Sequence, residues 1–476
     1  MLERLHQLEL ASAALEPSRE LRNEWLDSWH NYLNDFMDEM EDKPTFVEGQ
    51  ISQLKEFKVS EAPKSLHTLL NIFKTEVNHF GINPASGGHL GYIPGGGIYA
   101  SSLGDMMAAV SNRYAGIFFS NPGAVIMENQ LIRWMCEVMG YPETAHGNIT
   151  SGGSIANLIG IVSARDSKGL HRLNLHQAVI YTTGQIHHCV HKAVRIAGLR
   201  ESIARTVPMD DQYKMDITAL KSLILSDLQA GLTPFMVIAS AGTTDTGSID
   251  PLDAIADLCD QHDIWFHIDA AYGGFFNLLD QCKPLLKGIE RSQSIAIDPP
   301  KGLFLPYGIG TVLIKNPQAV LQSHHYRANY MKDAFDTDFD EWNPCDLSPE
   351  LTKHFRGPRM WVPLHLHGLA PFKAALEEKI LLAQYFYDRV QELGFEVGPP
   401  PMLSIVIFRF NPKDKDPNEF NERLMEAVRA DGRVFFSSTW INDQVWIRCA
   451  VLGFRTHKIT MDKGLAMLQD ILLKLK

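Results

Sequence analysis

Residues 235–274 read FMVIASAGTTDTGSIDPLDAIADLCDQHDIWFHIDAAYGG. Two short apolar runs, FMVIASAG (235–242) and IWFHIDAAYGG (264–274), flank the amphipathic pattern PLDAIADLCDQHD (251–263). Uninterrupted apolar runs of this length suit strands buried on both faces, the condition inside a parallel sheet. Working outward, AVIYT (178–182), SIAID (294–298) and TVLIK (311–315) repeat the strand signal, and IANLIGIVSARD (155–166) repeats the helical one. Strand–helix alternation predicts an α/β fold, a mostly parallel sheet covered by helices.

The two ends read differently. Leu21, Trp25, Trp29, Leu33 and Phe36 recur at helical steps, and SLHTLLNIFKTEVNHF begins at Ser65, a candidate N-cap. These helices are too few for a core of their own and are expected to pack elsewhere, such as on another subunit. After the long helix pattern PFKAALEEKILLAQYFYDRVQELG, closed by Gly394, the tail reads strand, helix, two strands, helix. Three units are therefore expected: a helical, dimerising arm over 1–85, a large α/β domain over 86–394, and a small α+β domain over 395–476.

Composition narrows the class. The chain has 476 residues, 45% hydrophobic and 21% charged, with a net charge of −12. An acidic protein is a poor match for nucleic acid or an anionic membrane surface, which require a basic face. No run approaches the length of a membrane span, and the first twenty residues mix charge into every turn, unlike a signal peptide. Six scattered cysteines form no C-x-x-C pair, as expected in the reducing cytoplasm.

Several stretches carry chemistry. ASGGHLGYIPGGGIYASSLGD (85–105) is glycine-rich enough to suggest a site, not a linker. The polar segment 322–360 is expected to be a mobile functional loop. In TSGGSIANLIG, Gly152, Gly153 and Ser154 open a helix; this is either a phosphate cradle or an ordinary glycine turn with a serine N-cap. Asp269 ends an apolar run, where a carboxylate needs a cationic partner or else caps the next turn; Ala271, two residues on, points to the same face. Lys301 stands alone among Pro299, Pro300, Phe304, Leu305 and Pro306, which is either a desolvated nucleophilic amine or a lysine on a surface turn. His187 and His191 are four apart, but no third ligand at a familiar spacing favours a metal; a flat imidazole stacked on a cofactor ring is the competing use.

Taken in order, TSGGS-x-AN, the histidines of TTGQIHHCVHKA, SAGTT with a downstream Asp, HIDAAYGG and the lysine of DPPKG resemble the group II pyridoxal 5′-phosphate decarboxylases of the aromatic-L-amino-acid and glutamate decarboxylase type. The resemblance implies the transferase fold type I, an obligate homodimer, the cofactor pyridoxal phosphate (PLP) and release of CO₂ from an L-amino acid. It implies that Lys301 carries the cofactor as a Schiff base, Asp269 pairs with the pyridine nitrogen, and Ala271 and His187 pack on the ring. Gly153 and Ser154 would cradle the phosphate, with Thr244 and Asp250 also around the cofactor. Tyr92, Ile93 and Pro94, joined by Ile117 and Phe118 from the neighbouring subunit, would line an apolar pocket for an aromatic or large apolar side chain. Arg356 and Arg359 are the candidates that would instead bring in a distal carboxylate.

Two departures from the family pattern stand out. Pro300 and Gly302 replace the usual histidine and tryptophan beside the lysine. No tyrosine lies between Met331 and Trp361, where the family carries its proton donor; Phe335 and Phe339 are the nearest aromatics. Phenylalanine at that place accompanies oxidative deamination to an aldehyde in relatives. The alternatives to a decarboxylase are therefore an aldehyde synthase, or a catalytically silent PLP-binding protein, on one scaffold.

Overall fold

The computed structural model describes residues 1–49, 54–325 and 341–475. Phe335 and Phe339 lie outside them. The arm comprises α1 (Leu2–Ser12), α2 (Arg19–Asp38) and α3 (Leu66–Ile72), which runs on as a π-helical turn, Phe73–Val77. The Ser65 hydroxyl accepts from Thr68 N, so the cap read from the sequence forms. None of the three helices has a buried residue. Leu21, Trp25, Leu26 and Trp29 of α2 stay 37–50% exposed, an apolar stripe this chain does not cover. The short strands β1 (Phe46–Val47) and β2 (Gly81–Ile82) pair antiparallel beside the arm. Next come β3 (His89–Leu90), α4 (Ala100–Ser111) and α5 (Pro122–Val138).

The large sheet contains β4 (His146–Thr150), β5 (Ala178–Thr183), β6 (Ile203–Val207), β7 (Thr233–Ser240), β8 (Trp265–Asp269), β9 (Ser294–Ile297) and β10 (Gly310–Ile314), in the order β4-β10-β9-β8-β7-β5-β6. Five neighbours run parallel from β6 to β9, and β10 runs antiparallel to both β9 and β4. The expected fold, transferase fold type I, is the one observed. Every residue of β5, β8, β9 and β10 is buried, which is why those strands read as continuous apolar runs. Helices α6 (Gly153–Ser167), α7 (His188–Ile196), α8 (Ile217–Gln229) and α9 (Leu252–His262) connect them. A single-turn helix, α10 (Pro299–Gly302), fills the return from β9 to β10, and α11 (Gln318–His324) follows.

After α12 (Gly357–His367) and the long α13 (Ala370–Glu392), the tail forms β11 (Glu396–Val397), β12 (Ile405–Arg409), α14 (Pro417–Asp431), β13 (Phe435–Ile441), β14 (Gln444–Ala450) and α15 (Lys458–Leu475). Asp416 caps α14 through Glu419 N, with Pro417 in its first turn and Gly432 left-handed just past its end. The second sheet is ordered β11-β12-β14-β13-β3, so a strand from before the large sheet closes its edge. Alternate residues of β12 serve two cores: Ile405 and Ile407 join the core shared with the large sheet, and Val406 and Phe408 join one under α13–α15.

Candidate active site

The C-terminal ends of four parallel strands supply the site, the edge at which ligands bind in open α/β sheets. β5 leads to Gln185 and His187, β7 to Gly242–Thr244, β8 to Asp269 and Ala271, and β9 to Asp298 and Lys301. With Gly153, Ser154, Asn157 and Cys189 they line a cavity of about 490 Å³, open solvent at its mouth included.

The start of α6 removes one of its two readings. Ser154 is not a cap: the helix begins at Gly153, its N-cap is Gly152, and no side chain caps it. Its first-turn amides keep their partial positive charge for an anion. A Cβ on Gly153 would sit 2.8 Å from Asp298 Oδ2, so only glycine fits beside that carboxylate.

Lys301 Nζ lies 3.3 Å from Asp298 Oδ2, with the lysine side chain 25% exposed. It is neither a free surface lysine nor fully sealed. Asp298 Oδ1 is buried without a hydrogen-bond partner among the described residues. Asp269 is 8% exposed and accepts from Ala271 N at 3.1 Å, so it caps the next turn and also faces the cavity. Burial raises its carboxyl above the ordinary range, opposed by Lys301, the Ala271 amide and the Asn157 side chain. His187 is the N-cap of α7, its Nδ1 accepting from Cys189 N at 3.3 Å. Burial, with Lys301 nearby, lowers its imidazole to about 4, so the ring is neutral near pH 7. His191 is exposed on α7 and does not join it. Among the described residues no three His, Cys, Asp or Glu side chains gather as metal ligands.

Thr244 lines the cavity, and its carbonyl, with those of the Asp245 backbone and the Ser437 hydroxyl, holds the buried Arg448 guanidinium. Asp250 does not border the cavity. Its two oxygens accept from Met215 N at 2.7 Å and Ser240 N at 2.8 Å, tying the 240–250 loop shut.

The five pocket candidates also lie off this cavity. Ile93, Pro94, Ile117 and Phe118 are buried within the chain, and only Tyr92 is open, at 60%. Next to Ile117 and Phe118 it is Phe119, 59% exposed, that faces outward and is available to a neighbouring subunit. The GYIPGGG loop does reach the lysine segment: a Cβ on Gly95 would overlap Pro300 O, and Ile98 N donates to Phe304 O at 2.9 Å. The Pro300 backbone therefore lies directly under that loop, at a distance only a glycine at 95 allows.

Asn157 and Asp298, inside the TSGGSIANLIG and SIAID stretches, also border the cavity. Asn157 is one helical turn past Gly153, and Asp298 is one turn before Lys301; that spacing was the available signal.

Residues 49–411 match the family model described as the pyridoxal-dependent decarboxylase conserved domain. The chain belongs to that family. An aromatic-L-amino-acid decarboxylase of Bacillus atrophaeus is 33% identical over 376 residues, covering 77% of each chain. A phenylacetaldehyde synthase of Arabidopsis thaliana is 25% identical and aligns over 92% of this chain and 93% of its own. The Oryza sativa TDC crystallised with PLP and tryptamine superposes with a TM-score of 0.90 over 96% of this chain and 99% of that one, at 22% identity, a likeness of fold. As a pyridoxal-dependent decarboxylase the protein uses PLP, and the cavity fits it. A lysine amine, a buried carboxylate facing the same space, uncapped helix amides and a neutral imidazole are the groups an aldehyde, a pyridinium, a phosphate and an aromatic ring require.

Proposed function

We propose that this decarboxylase releases CO₂ from an aromatic L-amino acid and yields the corresponding amine. The observation that carries the substrate class is the engagement of both arginines able to meet a distal carboxylate. Arg356 is held by Glu350 through two contacts of 3.0 Å, and Arg359 by Asp105 at 2.8 and 3.0 Å. Against these two arginines a glutamate side chain would bring a charge already answered by other carboxylates, at a cost of several kcal/mol, whereas an aromatic one gains about 1.5–3 kcal/mol on burial.

Bound PLP supplies an electron sink for the pair left when the Cα–carboxylate bond breaks. Lys301 would hold the cofactor through its amine, the group a substrate's amino group would replace. Asp269 keeps a negative charge opposite the pyridine nitrogen. Gly153 and Ser154 offer backbone amides to the phosphate. Ala271 and the neutral His187 give the ring two flat contacts, and His187 brings no positive charge against Lys301. Thr244 borders the same space; Asp250 shapes the loop that carries it.

The test is product analysis of purified holoenzyme with tyrosine, tryptophan, phenylalanine, glutamate and aspartate. Amine and CO₂ in equal amounts from the aromatic set support the reading; faster turnover of glutamate or aspartate overturns it. A second reading is favoured by the absence of tyrosine between Met331 and Trp361 and by the phenylacetaldehyde synthase among the relatives. It is an oxygen-consuming conversion to aldehyde, CO₂, ammonia and peroxide, and peroxide formation in the same assay distinguishes it.

The working unit we propose is a homodimer, supported by the uncovered stripe of α2. A division near residue 394 is supported by the separate large and small sheets, with β3 (His89–Leu90) crossing it to pair with β13, and an arm ending near 85 by its own β1–β2 pair. Among the described residues no helix is long and apolar enough to cross a membrane. All six thiols are free and buried, in keeping with a reducing cytoplasm.

A further inference from the structure

His267 and Asp269 are two apart on β8 and point to the same face, toward α6. His267 has no exposure, and Gly160 of α6 makes room for it: a Cβ there would lie 2.7 Å from Cε1 of the ring. His267 Nε2 is 2.9 Å from Asn157 Oδ1, and Nδ1 is 2.7 Å from Ser294 Oγ. Ser294 Oγ already accepts from Trp265 Nε1 at 2.8 Å, leaving its own proton for His267 Nδ1. Asn157 Nδ2 donates to Gly153 O at 2.9 Å, which fixes Oδ1 as the atom facing the histidine. The imidazole therefore carries its proton on Nε2 and donates it to Asn157. Burial holds this ring neutral, lowered to about 3. With its oxygen committed, the Asn157 amide turns its NH₂ to Gly153 O and, at 3.7 Å, to the Cys189 sulfur, on the wall of the cavity it shares with Asp269, whose carboxyl it helps to lower.

We propose that His267 is a positioning residue for Asp269: together with the Gly153 carbonyl it holds the Asn157 amide with its NH₂ toward that carboxylate and its oxygen away from it. The inference rests on the role proposed for Asp269 above. Without the Nε2 proton only the Gly153 carbonyl still holds the amide, which turns more readily, and an oxygen facing Asp269 repels its charge. The other groups around Asp269 stay in place: the Lys301 ammonium, the Asp298 carboxylate, the Ala271 amide, and the Cys189 thiol, which burial pushes up to about 12.

The experiment measures PLP affinity of the full chain against pH, with steady-state kinetics alongside. His267→Phe keeps a flat ring and removes both hydrogen bonds. Asp269 should then protonate at higher pH, so the acid limb of cofactor binding moves up by about one pH unit, a tenfold loss of affinity on that limb. kcat should fall with KM little changed, and His267→Gln, which restores a donor toward Asn157, should recover part of the shift. A lowered melting temperature with an unmoved acid limb would make His267 merely structural and overturn the proposal. If His267→Phe does not fold, Ser294→Ala, which frees Nδ1, is read in the same way and should move the limb in the same direction. Asp269→Asn is the control: if it binds and turns over normally, the reading of Asp269 fails, whereas an impaired Asp269→Asn beside an unaltered His267→Phe overturns the relay alone.

Discussion

Lys353 Nζ lies 2.9 Å from Glu128 Oε2, and neither side chain has any solvent exposure. The ammonium also donates to Asn148 Oδ1 at 3.3 Å and Ile149 O at 3.0 Å, and Glu128 Oε1 accepts from the backbone amides of Arg356 and Gly357 at 3.0 Å each. One buried pair thus ties α5 to β4 and to the segment entering α12. Removing one member of such a pair costs roughly 3–5 kcal/mol. Glu128→Ala should cost more than Lys353→Met, because it strands two amides as well as the ammonium, whereas the methionine variant leaves the carboxylate two donors. Denaturant midpoints measure both, and equal midpoints would contradict this ordering.

Lys301→Ala should keep the fold but lose covalent attachment of the cofactor. Turnover should fall by several powers of ten, since no amine remains to hold PLP and exchange with substrate. The checks are the visible absorption band and borohydride trapping of a lysine adduct. A trapped adduct at another lysine, with activity retained, would remove Lys301 from the site.

Asp269→Asn should still take up PLP and lose most of its activity. An amide does not stabilise a pyridinium as a carboxylate does, and the loss should exceed the ~1–3 kcal/mol of an ordinary buried polar deletion. Comparison of kcat/KM decides it. Near-normal values would leave Asp269 only its contact with the Ala271 amide.

Acid should weaken the fold through its histidines. Burial lowers His89 and His146 to about 4 and His267 to about 3, from an ordinary 6.5. The unfolded chain therefore binds protons below about pH 6.5 that the native state refuses, so this stability is present above that pH and is lost as pH falls toward 4. Asp250 works in the opposite sense: burial raises it from 3.8 to about 6, so the penalty on its charge is relieved as pH falls through 6. His187, lowered to about 4, adds a fourth histidine on the acid-sensitive side, and Asp269 and Asp298, raised by burial, join Asp250 on the other; the histidines are the larger set. Urea midpoints taken from pH 7 to pH 4.5 should decline by on the order of 3 kcal/mol, and a flat profile would refute the account.

The parallel strands were legible because burial on both faces leaves no exposed position in β5 or β8 and only Thr233 exposed in β7. α14 was legible because Asp416, Pro417 and Gly432 mark its ends. β4 was not: HGNIT has no apolar pattern, and its Asn148 is satisfied by Pro344 O at 2.6 Å and Lys353 Nζ at 3.3 Å, both far along the chain. The same limit governs the site. Lys301 and Asp269 announce themselves by local contrast with apolar neighbours, and the structure brings both to one cavity. Asp250 matches its motif equally well, yet the amide of Met215, on a separate loop, takes one of its oxygens. Ile117 and Phe118 differ from the outward-facing Phe119 by a local turn that no periodicity records.

β3 pairs parallel with β13, His89 opposite Phe435 and Leu90 opposite Phe436, and Phe435 N donates to Gly88 O at 2.9 Å. A gene cut near residue 395 therefore would not liberate an autonomous C-terminal module. It would strip β13 of its outer neighbour and leave a bare ribbon edge carrying two phenylalanines, the kind of surface that recruits other strands and precipitates. A fragment meant to fold from 395 onward needs residues 86–92 returned to it, fused or added as a peptide; split-protein complementation across that junction would work only with this short splint on the C-terminal half.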